Sequence, residues 1–167
     1  MKVLGIDPGT ATVGYGVVER FTGRGAMDRL LECGVIRTRS RDPLHTRLAV
    51  IHEGLAELIA RHHPDVLAVE DIFYATNVRT TVVLGHARGV ILLAGAQAGI
   101  PVAEYSPALV KKTVVGRGAA LKPQVGYMVA KLLKLSTAPR PADAADAVAV
   151  ALTHLLRARL VARLGAR

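Results

Sequence analysis

Tryptophan is absent from the 167 residues, and only six side chains are aromatic, four Tyr and two Phe. A core must therefore be assembled from aliphatic residues, and the hydrophobic fraction of 51% supplies enough of them for one domain. Cysteine is nearly absent too. Cys33 stands alone, so no internal disulfide can form, which suits a reducing compartment. No apolar run reaches roughly 18 residues, so no membrane span is expected. The N-terminus has a Lys but no long apolar stretch with a cleavage site, so no signal peptide is expected either. A cytoplasmic protein without a membrane partner is the resulting expectation. Acidic residues are scarce, 13 against 22 Lys and Arg, and the net charge is +9. Such an excess points to a polyanionic partner, most simply nucleic acid. Part of it lies in the tail Arg157 to Arg167, which also reads as a solvated basic helix end.

The scarce acids occupy unusual places. Residues 2–7 (KVLGID) form an apolar run that ends in Asp7, followed by the chain-turning Pro8 and Gly9. Residues 65–70 (DVLAVE) read as another buried strand, which ends in Glu70. If these strands are neighbours, their tips lie about 5 Å apart. Two unpaired carboxylates at that spacing repel, and a divalent cation relieves the repulsion. The last helix opens ADAADAVAVALTHLL, and Asp143 and Asp146, spaced i,i+3, share one face of its first turn. Acids at a helix N-terminus also satisfy the macrodipole. Here, however, Ala147, Val148, Val150, Ala151 and Leu155 make the helix largely buried, so its acids should face something. Asp71 is excluded, because next to Glu70 in a strand its side chain takes the opposite face.

Four carboxylates from three elements are an oxygen-only ligand set, which suits Mg²⁺ or Mn²⁺. Zinc is not expected. None of His45, His52, His62, His63, His86 or His154 forms a zinc spacing with Cys33, and His62-His63 reads as a solvated helix end. Two ions roughly 3.5–4 Å apart can serve an in-line phosphoryl displacement.

The remaining chain reads as a mixed α/β domain. Strands are expected at 13–20, 30–38 and 101–105 besides the two above, the first three in an antiparallel meander. Small Gly14 and Gly16 alternate with larger neighbours in the second strand. A helix starts at Asp42-Pro43, with Asp as N-cap and Pro at the first helical position, and Leu48, Ile51, Leu55, Leu58 and Ile59 give its apolar face. Further helices are expected over roughly 78–98, after Ser106-Pro107 with Lys111 and Lys112, over 123–133, and from Ala142. Gly116-Arg117-Gly118 is a loop and Pro139-Arg140-Pro141 a breaker. A sheet flanked by helices follows. Phe73 and Tyr74 are adjacent in a loop. One of them alone fits a core, and both together fit base stacking, at about 1–3 kcal/mol per base.

The opening GIDPGT with GYGVVE, the strand LAVEDIF, the stretch LVKKTVVGRGAALKPQV and the helix start ADAADAVAVALTH occur in this order across about residues 1–156. Together they resemble the RuvC family of Holliday-junction resolvases, crossover junction endodeoxyribonucleases of the ribonuclease H-like superfamily. The resemblance implies a mixed five-stranded sheet flanked by helices, with the nuclease domain over 1–156 and a basic tail over 157–167. It implies that Asp7, Glu70, Asp143 and Asp146 are the catalytic metal-binding acids for two Mg²⁺ ions, with Mn²⁺ as substitute. Lys111 and Lys122 match basic residues at the cleft, Lys122 in a catalytic role, and Phe73 matches an aromatic that stacks at the junction centre. Tyr74 and Lys112, their neighbours, join them as candidate DNA contacts. The implied activity is paired symmetric nicking of four-way junctions in recombination and repair, by a homodimer working beside a branch-migration helicase complex. The helix over 78–98, with Gly85 and Gly89 beside Val82, Val83 and Val90, is the candidate dimer face.

Three other classes stay open at this level. An actin-like or sugar-kinase ATPase half uses similar opening loops, but needs a second domain. A small ribonuclease H-like nuclease acting on RNA lacks reason for the ADAAD helix and the Lys111–Lys122 stretch. A junction binder without catalysis gains nothing from four carboxylates.

Overall fold

The protein is described from a computed structural model, over residues 1–21, 27–72 and 78–165. Three strands come first: β1 (Lys2–Asp7), β2 (Thr12–Arg20) and β3 (Asp28–Arg37). They form the antiparallel meander that the short turns predict, with a register irregularity at Val17/Val18. Then follow α1 (Leu44–His62), β4 (Val66–Glu70), α2 (Val78–Gln97), β5 (Val102–Tyr105), α3 (Pro107–Val115), α4 (Lys122–Leu132) and α5 (Ala142–Gly165). The sheet order is β3-β2-β1-β4-β5, with β4 parallel to both β1 and β5.

Alternation along the strands builds two cores. Val3 of β1 and Ala68 of β4 face α3, α4 and α5, where Val110, Val129, Val148 and Leu152 meet them. Leu4, Ile6, Leu67 and Val69 face the other way, onto Ile51, Leu55 and Ile91 of α1 and α2. The core is aliphatic, as a chain poor in aromatics requires. Helix α5 is pressed against the sheet: Ala144, Ala145 and Ala147 to Leu152 are buried. The approach depends on glycine in the strands below. A Cβ on Gly5 would lie 2.7 Å from the Ala151 backbone nitrogen, and one on Gly16 2.9 Å from the Val148 Cα. Gly14 and Gly16 alternate with larger residues because a helix backbone occupies the space over them.

Two local expectations need correction. Asp42 does not cap α1. Its amide donates to the Arg39 carbonyl in a turn, and Pro43 takes the N-cap position without a side-chain cap. His62 is not a solvated helix end. Its Nε2 lies 2.7 Å from Glu32 Oε2 on β3, whose carboxylate also accepts from Tyr15 and Arg61. The basic segment from Arg157 continues as α5 through Gly165.

Candidate active site

The strand tips carry the acids to one end of the sheet. Asp7 pairs in register with Gly14 of β2. On its other side the β1–β4 pairing reaches Ile6–Val69, so the next step sets Asp7 beside Glu70. Val3 and Gly5 face α5, and Asp7, two further on, faces it too. Glu70 follows Ala68 in the same way. The first turn of α5 crosses above them. One oxygen each from Asp7, Asp143 and Asp146 lies within 4.8 Å of the others. Glu70 lies outside that set of three, but lines the same small cleft of about 150 Å³, with Asp7, Asp146, Lys111 and Lys122.

The electrostatics record a site short of positive charge. Burial first, then the negative charges of Asp146 and Asp143, push the Asp7 carboxyl up to about 6, against some relief from Lys122. Burial and the charges of Asp7 and Asp146 push Glu70 up to about 8. Lys122 Nζ lies 2.9 Å from Asp146 Oδ2, and this hydrogen bond holds the ammonium above its ordinary range. The Lys122 side chain is 66% exposed. The Asp146 carboxylate is only 17% exposed, so the pair is open to solvent on its lysine side alone, where screening keeps its contribution small. The donor set, all carboxylate oxygens converging from three elements, with repulsion that Lys122 and a hydrogen bond between Asp7 and Glu70 relieve only in part, fits a hard divalent cation.

Lys122 is the first residue of α4, where the Gln124 side chain accepts from the Leu121 amide and steadies the turn. Lys111 projects from α3, whose N-terminus is capped by Ser106 and whose end is turned by Gly116. Lys112, its neighbour, is exposed and does not line the cleft. Phe73 and Tyr74 lie outside the described residues. Asp71 takes the opposite face of the sheet, 3.2 Å from Arg88 of α2, which also pairs with Glu104.

Two supporting contacts had no signal in the sequence read alone. The Tyr105 hydroxyl lies 2.8 Å from His154 Nδ1 and ties the tip of β5 to α5. Arg88 joins α2 to Asp71 and Glu104, the chain neighbours of Glu70 and Tyr105. Both link residues far apart in the chain, and neither makes a local pattern.

The family model "Crossover junction endodeoxyribonuclease RuvC" matches residues 3–154. The chain belongs to the RuvC family. Crossover junction endodeoxyribonuclease RuvC of Chloroflexus aggregans is 50% identical over 165 residues, 99% of each chain. A solved RuvC structure from Thermus thermophilus superposes with a TM-score of 0.87 at 39% identity, over 96% of both chains. A second T. thermophilus structure, RuvC in complex with a Holliday junction substrate, gives 0.86 at 37% identity, again over 96% of both. The ribonuclease H-like fold expected from the sequence, a mixed five-stranded sheet flanked by helices, is the RuvC fold found here. Among the described residues, no helix is long and apolar enough to cross a membrane.

Proposed function

We propose that this chain is a metal-dependent endonuclease that resolves four-way DNA junctions by paired symmetric nicks, in recombination and repair. One observation carries the reading: in a member of the RuvC family, Asp7, Asp143 and Asp146 bring carboxylate oxygens within 4.8 Å of one another, beside Glu70 and Lys122. These four acids are the residues to hold divalent cations, Mg²⁺ by preference or Mn²⁺, in a pair. When bound, such ions supply the charge that ionises an attacking water and stabilises a departing oxygen. Asp7 and Glu70 shed their protons to bind. Asp146 anchors its carboxylate against Lys122 until a phosphate arrives. Lys122 and Lys111 then hold non-bridging phosphate oxygens whose charge the cations leave unbalanced. Phe73, with Tyr74 as its neighbour, stacks on unpaired bases at the crossover, and Lys112 adds an outer phosphate contact.

Two opposed strands need two active sites held apart, so the working unit is a homodimer. Helix α2 offers the face. A Cβ on Gly85 or Gly89 would meet nothing within 4 Å, and Val82 and Leu93 beside them are about half exposed. A shallow groove of about 480 Å³ runs there, bounded by Leu48, Val82, His86 and Leu93. A branch-migration helicase complex is the partner expected for such an enzyme, and the cytoplasm its setting. The nuclease unit is assigned to 1–156 and the basic tail to 157–167, although α5 runs unbroken across that boundary to Gly165.

The test is nicking of an immobile four-way junction in Mg²⁺, with the cut positions mapped. Symmetric nicks in two strands of like polarity, and none in linear duplex, are expected. Equal cutting of linear DNA or of RNA duplexes would overturn the reading.

A further inference from the structure

Beside the catalytic cleft lies a second recess that the reaction as described does not use. It has a volume of about 350 Å³ and lies between the first turns of α4 and α5. That is the lower end of the size range of small-ligand sites, about 300–1,000 Å³. Its surfaces are small and apolar: Pro123 and Gly126 on α4, Ala138 and Pro139 before α5, and Ala145 on α5. Arg140 also lines it, exposed and without an ion-pair partner among the described residues. The recess shares two walls with the cleft, Lys122 and Asp146, one a candidate phosphate contact and the other a candidate metal ligand.

That shared wall dictates what passes next. A DNA strand with its scissile phosphate against Asp146 and Lys122 continues in both directions. On the α4–α5 side, the surface next to that wall is this recess. Apolar flat surfaces accept the faces of a base withdrawn from its stack, and a free guanidinium reads its edge or the following phosphate. The geometry points to a nucleobase subsite: Gly126, Ala138, Pro139 and Arg140 receive the base of the nucleotide adjoining the scissile phosphate and make the cleavage rate depend on its identity. The inference rests on the junction-nicking reading above and assigns to it the residues that choose the cut position.

The test is a set of immobile junctions that carry each of the four bases in turn on either side of the expected nick. Rates are measured in Mg²⁺ for the wild type, Ala138→Leu, which fills the recess, and Arg140→Ala, which keeps its shape. Arg140 is on the surface, so that variant remains informative if Ala138→Leu folds poorly. In the wild type, the base on one flank should change the rate. In either variant, the ratio of best to worst base on that flank should fall at least fivefold, with the other flank unaffected and junction affinity within about threefold. If both variants slow all substrates equally and leave the ratios intact, the recess holds no base. If the wild type nicks no junction, the parent reading fails and takes this one with it. If the wild type nicks with no base preference on either flank, the parent reading stands and the subsite is refuted.

Discussion

Gly14 of β2 lies directly beneath Asp143 of α5, so close that a Cβ at position 14 would stand 2.6 Å from the Asp143 carbonyl carbon. The small residue sets the height of the helix over the sheet, and hence the distance from Asp143 and Asp146 to Asp7. Gly14→Ala should force the first turn of α5 outward. Overpacking of this kind costs about 1–3 kcal/mol, and a shift of about 1 Å in a reacting group costs roughly 10²-fold in rate. Thermal denaturation, junction gel shift and nicking assays check it. The expected result is a folded variant that binds junctions and cuts them about a hundredfold more slowly.

The acids predict a pH-dependent metal effect. The Asp7 carboxyl rises from 3.8 to about 6 on folding and Glu70 from 4.5 to about 8. Between about pH 4 and pH 8 the folded state therefore holds more protons than the unfolded chain. Stability from these two groups is full below their ordinary values and is lost as pH rises through about 6 and then about 8. A divalent cation replaces the protons and restores it. The rise in Tm on adding Mn²⁺ should be larger at pH 8.5 than at pH 5.5, and Asp7→Asn should remove most of the difference. Equal shifts at both pH values would show that the cluster does not hold the ion.

How much of this site the sequence displays varies from residue to residue. Asp7 and Glu70 are legible because each ends an apolar strand, and Asp143 and Asp146 because i,i+3 spacing sets them on one face of a buried helix. That β1 and β4 are neighbours is not legible from periodicity, which says nothing of strand order. Lys122 and Lys111 are visible only through the family resemblance, since a single lysine has no pattern. Asp42 looks like a helix cap by composition, but the helix begins one residue later, with Pro43 at the N-cap and no side-chain cap. His62 reads as solvated because its partner, Glu32, comes from β3, thirty residues earlier. The contacts through Arg88 and Tyr105 are long-range in the same sense.

Lys122 should matter more for cutting than for holding DNA. Its side chain is largely exposed and pairs with Asp146 at 2.9 Å. Lys122→Ala should lower the nicking rate by about 10- to 100-fold and junction affinity by threefold or less, and reduce the salt slope of binding by about 0.9 at most, one phosphate contact. Titrations at several salt concentrations, run beside single-turnover nicking, separate the two effects. Equal losses in both would make Lys122 an anchoring charge only.

The groove on α2 should be the face between two copies. Light scattering at micromolar concentration is expected to give a mass of about twice 17.7 kDa. Gly89→Arg places a long cation where a Cβ at present meets nothing. It should yield a folded monomer that nicks single strands of a junction without pairing the cuts. A wild-type monomer with and without DNA would remove the proposal.

The strand tip at Asp7 is placed to hold a metal for phosphodiester cleavage in the proposed reaction. Asp7→Asn keeps the shape of the side chain and removes its charge, so it addresses the claim most directly. Wild type and variant are compared by junction gel shift and by nicking in Mg²⁺. The variant should bind the junction at least as well as wild type, because a negative charge near the phosphates is gone, while nicking falls below detection. A variant that nicks at near the wild-type rate would contradict the metal role of Asp7.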